Sequence, residues 1–322
     1  MARGNPLPAR PALKPGTMKC TLFWVFGLIF WGSVLGTAEA LPATRLVLLG
    51  TGNPNPDPAH SGCSLAVVVG DRSYIVDFGP GLVRQAARLS PRYGGPLPAL
   101  AVENLKKAFL THLHSDHTAG YPDLILTPWV EGRTEPLSVF GPQGLKHMTK
   151  HILAAYRDDI RYRIQGLENA DHRGWRVRAH EIREGPIYRD DAVKVEAFRV
   201  THGSWEHAFG FRFTTHDKVI VISGDTTPCE NVIKYGRGAD ILVHEVYYQK
   251  GFEEKSQAGQ AYHSRHHTST RELARIAAET RPGLLVLYHI LFWGGQPEDL
   301  LEEITSTYEG RVICGSDLDI IE

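Results

Sequence analysis

One stretch constrains this chain more than any other. Ala108-Phe109-Leu110 is a short apolar run that ends in Thr111-His112-Leu113-His114-Ser115-Asp116-His117-Thr118-Ala119-Gly120. The run reads as a buried strand, and Gly120 lets the chain leave the turn. A strand continued through three imidazoles and a carboxylate would bury them without partners, at a cost for each. A loop at the strand end, with side chains converging on a metal, satisfies them all. Imidazole nitrogen and carboxylate oxygen suit zinc and its borderline neighbours.

The spacing says more than the count. His112 and His114 point the same way in extended chain, Asp116 keeps that parity and His117 breaks it. Four ligands on so tight a turn crowd a single ion. They divide more easily into two pairs on adjacent ions, which in two-metal hydrolytic sites lie about 3.5–4 Å apart. Such a centre needs more ligands than one loop offers. Three polar residues lie just past apolar strands: His202 after Val200-Thr201, Asp225 after Ile220-Val221-Ile222, and His289 after Leu284-Leu285-Val286-Leu287. Gly203 and Gly224, beside His202 and Asp225, give room for close approach.

His-x-His-x-Asp-His after an apolar strand resembles the signature of the metallo-β-lactamase superfamily, and the likeness covers nearly the whole chain after the leader. Patterning alone indicates an α/β or α+β chain; the resemblance implies a four-layer αββα sandwich with the site at one edge. It implies a first ion on His112, His114 and His202, a second on Asp116, His117 and His289, and Asp225 as the bridge. Two zinc ions are expected, with Mn2+ or Fe2+ as alternatives. A hydroxide bridging them would be the nucleophile, since binding lowers the pKa of water to about 7. Asp116 would also orient its proton, and Asp77 would steady the first loop by hydrogen bonds.

His244-Glu245-Val246 and His267-Thr268-Ser269 resemble two elements of tRNA 3′-processing endonucleases (tRNase Z). There the Glu and the His relay a proton to the leaving oxygen, here Glu245 and His267. Histidine is the acid suited to that task near neutral pH. Gly50-Thr51-Gly52, Gly141-Pro142-Gln143-Gly144 and Asp225 resemble the tRNase Z and arylsulfatase-like branch. The chain departs from tRNase Z in its Leu-Tyr-His-Ile context around His289 and in lacking a long Gly- and Lys-rich arm. The expectation is therefore a hydrolase of phosphodiesters or sulfate esters, with a small-molecule ester favoured over nucleic acid. A tRNase Z-type endoribonuclease, a lactonase and a non-catalytic metal-binding protein are the alternatives.

A formal net charge of -1 gives no global pull toward nucleic acid or membrane. Met18-Lys19, an apolar run from Leu22 to Leu35 and Ala38-Glu39-Ala40 describe a secretory signal peptide. The expected organisation is a 1–40 leader, cleaved or kept as an anchor, and a 41–322 hydrolase domain. The address is periplasmic or secreted, with no membrane insertion beyond the leader; a homodimer stays open. Cys63, Cys229 and Cys314 lack zinc-ligand spacing, and one disulfide or three thiols are both compatible with them.

Residues 157–190 read as a charged, irregular insertion, 269–280 and 297–308 as helices, and 284–287 as a buried strand. Trp129, Trp205, Phe292, Trp293 and Tyr247 are candidates for the pocket or the core. His60, His147, His151, His172, His180, His207, His216, His263 and His266 read as solvated or structural.

Overall fold

The computed structural model describes residues 43–322, so the expected leader lies outside the described residues. The first half of the described chain supplies β1 (Thr44–Gly50), β2 (Ser64–Val69), β3 (Arg72–Val76), β4 (Lys107–Phe109), β5 (Leu137–Gly141) and β6 (Val177–Glu181). The second half supplies β7 (Gly185–Arg189), β8 (Lys194–Arg199), β9 (Phe209–Thr214), β10 (Val219–Ile222), β11 (Ile241–Tyr247), β12 (Leu284–Leu291) and β13 (Val312–Cys314). A last strand, β14 (Ile320–Ile321), returns to the first half.

These strands form two sheets, ordered β14-β1-β2-β3-β4-β5-β6 and β13-β12-β11-β10-β9-β8-β7. Each joins an antiparallel part to a parallel part, the change falling at β3/β4 and at β10/β11. Strand parity explains the layers. Along β1, Leu46 and Leu48 face a core shared with Phe211, Phe213 and Val243 of the other sheet. Val47 and Leu49 face the other way, onto Leu82, Leu124 and Leu145 of covering helices. The second sheet does the same, turning Leu242 and Leu285 onto Leu273 and Leu300. Strands buried on both faces read as near-continuous apolar runs. The result is the expected four-layer αββα sandwich.

The helix Tyr121–Val130 carries Pro128 in its interior. Proline has no N–H, so the Leu124 carbonyl loses its helical donor. Arg133, fully buried, supplies it: Nη1 donates to Leu124 at 3.0 Å and to Leu105 at 2.9 Å, and Nη2 to Ile125 at 2.6 Å and Gly174 at 3.0 Å.

Several expectations change. Residues 157–190 are not irregular: they hold the helix Arg157–Gln165 and the edge strands β6 and β7. The last helix stops at Thr305. β12 continues four residues beyond Leu287. The helix at 270–280 starts one residue late because Ser269 is its cap, with Glu272 completing a capping box. Among the described residues all three cysteines are free, and no helix is long and apolar enough to cross a membrane.

Candidate metal centre and proton relay

The site forms at the carboxyl ends of β3, β4, β10, β11 and β12, where open α/β sheets leave a crevice. β4 is extended by the Leu110 amide, which donates to Phe140 at 2.8 Å. The chain then turns through His112 and His114 into a single helical turn, Ser115–Thr118. That turn is what breaks the parity and swings His117 away from the first two histidines.

His112 Nε2 lies 2.8 Å from His114 Nδ1, and His202 Nε2 lies 3.1 Å from the same atom. Trp205 presents its indole N–H to His114 Nε2 at 2.6 Å, which turns the Nδ1 edge inward. The second group is Asp116, His117 and His289: Asp116 Oδ2 is 3.4 Å from His117 Nε2 and 3.1 Å from His289 Nε2. Asp225 stands between the groups. Its Oδ2 is 3.9 Å from His112 and from His202 and 3.5 Å from His289, and its Oδ1 is 3.4 Å from His117. All seven expected ligands meet in one place.

Local geometry explains two of these positions. Gly224 has φ of 63°, and a Cβ there would meet the Phe209 carbonyl at 2.7 Å, so glycine alone lets the chain bend to Asp225. His289 does not follow its strand, as its sequence context suggests. It is a bulge within β12: Glu245 pairs with Tyr288 and Val246 with Ile290, leaving His289 unpaired at φ 48°.

The electrostatics favour a cation. Burial pushes the His112 imidazolium well below the ordinary histidine range and His202 down to about 4. Burial acts the same way on His117 and His289 but is overcome by nearby acid groups, Asp225 first, which hold both rings above their ordinary value. Burial would raise Asp225 too, yet His289 and His117 keep it far below the carboxylate range. Asp225 and the acid groups around it, Asp116 among them, thus draw protons onto their neighbours, a charge a divalent cation supplies instead. Buried His117 Nε2 and Asp225 Oδ1 have no hydrogen-bond partner. Lone pairs of this type, converging and unpaired, fit metal ions.

Glu245 and His267 adjoin this centre. Both His244 and Glu245 lie inside β11. Glu245 Oε1 accepts from the Thr226 amide at 3.2 Å and the Thr268 amide at 3.0 Å, tying the Asp225 loop to the His267 loop. Oε2 is 3.4 Å from His267 Nδ1. Burial, reinforced by Asp225, pushes the Glu245 carboxyl well above its usual range, and burial brings His267 down to about 4. The His267 ring stacks on His289 with centroids 5.9 Å apart.

Some neighbours of the centre have no signature in the sequence. Cys63 lies with Asp77 and His117 in one buried group. Burial pushes its thiol up to about 12, so it packs as a neutral group. His266 is not merely peripheral: its carbonyl accepts the His202 Nδ1–H at 2.7 Å. Its position beside His267 is the available signal. Among the aromatics, Trp205 reaches the centre, Phe292 and Trp293 line a groove with His60, and Trp129 is core, its indole bonded to the Asp171 carbonyl.

Comparison with known proteins agrees with this geometry. The profile of the Beta-lactamase superfamily domain matches residues 72–290. Ribonuclease Z of Mycobacterium bovis is 32% identical over 287 residues, covering 86% of this chain and 98% of that protein. A metallo-β-lactamase fold protein from Bacillus subtilis superposes with a TM-score of 0.67 at 18% identity, covering 87% of this chain and all of that one. The short form of human tRNase Z gives 0.63 at 21% identity, covering 86% and 98%. The preference for a small-molecule ester over nucleic acid is corrected by the Mycobacterium relative, whose name specifies ribonuclease action. Net charge misleads here because it averages over the whole surface, whereas a substrate meets only one face.

Proposed function

The chain belongs to the metallo-β-lactamase superfamily, and on that premise we propose that this hydrolase cleaves RNA phosphodiester bonds in the manner of Ribonuclease Z. The observation that carries the reading is the joint one: identity to Ribonuclease Z across the full domain, with Glu245 and His267 set beside the seven-residue centre.

His112, His114 and His202 would hold one ion and Asp116, His117 and His289 another, with Asp225 serving both. Such ions supply Lewis-acid polarisation of a phosphoryl oxygen and ionise water near neutral pH. The remaining work falls to the chain's own groups. A neutral Glu245 carboxyl, its Oε2 3.4 Å from His267 Nδ1, would close on that nitrogen and donate to it, which leaves the Nε2–H as the donor toward the leaving oxygen. As the P–O bond breaks, that proton moves to the alkoxide. The Glu245 proton replaces it through Nδ1, and the new carboxylate is held by the Thr226 and Thr268 amides.

The expected leader gives the same chemistry an address. An exported enzyme meets RNA outside the cytoplasm, and the sequence has no long Gly- and Lys-rich arm to grip a tRNA elbow. The test is cleavage by the metal-loaded protein of a 3′-extended tRNA and of an unstructured RNA, beside a sulfate ester and a lactone. Cleavage of either RNA supports the proposal; turnover of the sulfate ester or lactone with both RNAs intact overturns it.

A further inference from the structure

One face of the centre carries a cavity that the reaction above does not use. Its volume is about 570 Å³, and it opens to solvent. Gly203, Ser204, Thr227, Ser264, Arg265 and His266 line it, with no carboxylate among the lining groups. Arg265 is exposed, and among the described residues no acid lies within ion-pair distance of its guanidinium. Four hydroxyls (Thr201, Ser204, Thr227 and Ser264), an imidazole and a free guanidinium form an anion-accepting wall, and the guanidinium fork matches phosphate geometry.

The wall is fastened to the centre. The Gly203 amide donates to the Arg265 carbonyl at 2.8 Å, one residue from His202. The His266 ring lies directly over Gly203, where a Cβ would come within 2.0 Å of its Nε2. Tyr262 stacks on the outer side of His266, centroids 4.1 Å apart and planes within 22°, and it is 51% exposed. A half-exposed aromatic ring near an unpaired arginine is a pairing that holds single-stranded nucleic acid, base on ring and phosphate on cation.

We propose that this cavity, together with the exposed Tyr262 ring stacked on His266 at its wall, is a nucleotide subsite for the residue flanking the scissile bond, with Arg265 on its phosphate and Tyr262 against its base. The subsite rests on the RNA-cleaving reading and specifies where the second nucleotide goes. It positions substrate and takes no part in bond breaking.

The test is equilibrium binding of a labelled single-stranded RNA with phosphorothioate linkages to the metal-loaded full chain, across a salt series, run beside cleavage kinetics. For Arg265→Ala the slope of log K against log salt should shrink by about 0.7, the share of one phosphate on a single strand. KM for unmodified RNA should rise on the order of tenfold, as for a lost hydrogen bond to a charged group, with kcat and turnover of bis(p-nitrophenyl) phosphate unchanged. Arg265→Lys should restore the slope but not all of the affinity, and Tyr262→Ala should weaken binding without altering the slope. An unchanged slope and KM in Arg265→Ala overturn the subsite and leave the proposed function standing. Arg265-dependent binding without cleavage overturns the proposed function and, with it, the subsite's place beside a scissile bond. A wild-type chain that binds no RNA overturns both.

Discussion

Asp77 accepts the Nδ1–H of His117 at 2.8 Å, and the same carboxylate takes the Thr111 amide at 2.8 Å and its hydroxyl at 2.9 Å. One buried side chain therefore fixes both the start of the first loop and the tautomer of a residue at its end. With the proton held on Nδ1, the Nε2 lone pair of His117 faces Asp116 and Asp225. Asp77→Asn keeps the shape but removes the charge and half the accepting capacity. Metal affinity is expected to fall by about 10–100-fold, the usual effect of losing such a partner. Calorimetric metal titration checks this, with circular dichroism to show that the fold survives; an unaltered affinity would count against the role.

Glu245→Gln and His267→Ala should each lower kcat on RNA by about 10²-fold or more, the range of general acid catalysis. Both should keep the wild-type metal content. The loss should be far smaller on bis(p-nitrophenyl) phosphate, because p-nitrophenolate departs without a proton. Equal losses on the two substrates would mean that Glu245 merely holds two loops together.

Stability should fall in mild acid. His244 is fully buried, its Nε2 has no partner, and burial brings its pKa down to about 4. In the unfolded chain an ordinary histidine titrates near about 6.5. Between these values the unfolded state binds a proton that the folded state refuses, so stability is full above about 6.5 and drains as pH falls toward about 4. The loss for this one group approaches about 3 kcal/mol, at about 1.36 kcal/mol for each pH unit that separates the two pKa values. His244→Asn keeps a donor for the Glu245 carbonyl but cannot take up the proton. The difference in urea midpoint between about pH 7.5 and about pH 5, which straddle most of that window, should narrow in that variant.

Arg133→Lys should destabilise the domain by about 3 kcal/mol, since an ammonium cannot reach the carbonyls that the guanidinium fork bridges. Burial already holds the arginine down to about 10. Thermal unfolding measures the loss, and Pro128→Ala in the same background should recover part of it by restoring a helical N–H for Leu124.

Much of the centre is legible in the sequence because it is written locally. His112 to His117 sit on one turn, and His202 and Asp225 each follow an apolar strand closely enough for their context to mark them. His289 is found for a neighbouring reason: its context marks a strand end, yet the strand runs on and the residue bulges from it. A bulge is a relation between two strands, one residue against none, and a single strand's sequence does not carry it. Cys63 joins His117 only through tertiary packing, across a gap that spacing rules do not see. The edge strands β6 and β7 escape for a different reason. Each is half exposed and polar, without the continuous apolar run of the interior strands.

On the proposed metal-holding role of His289, its bulge also divides what keeps this molecule folded from what lets it act. Pairing resumes one step later at Val246 and Ile290, so a chain shortened by that single residue could zip β11 and β12 into an uninterrupted ladder. The more orderly protein would be the inert one. On that role, a well-folded variant with a perfect β12 would keep the scaffold and give up its proposed chemistry.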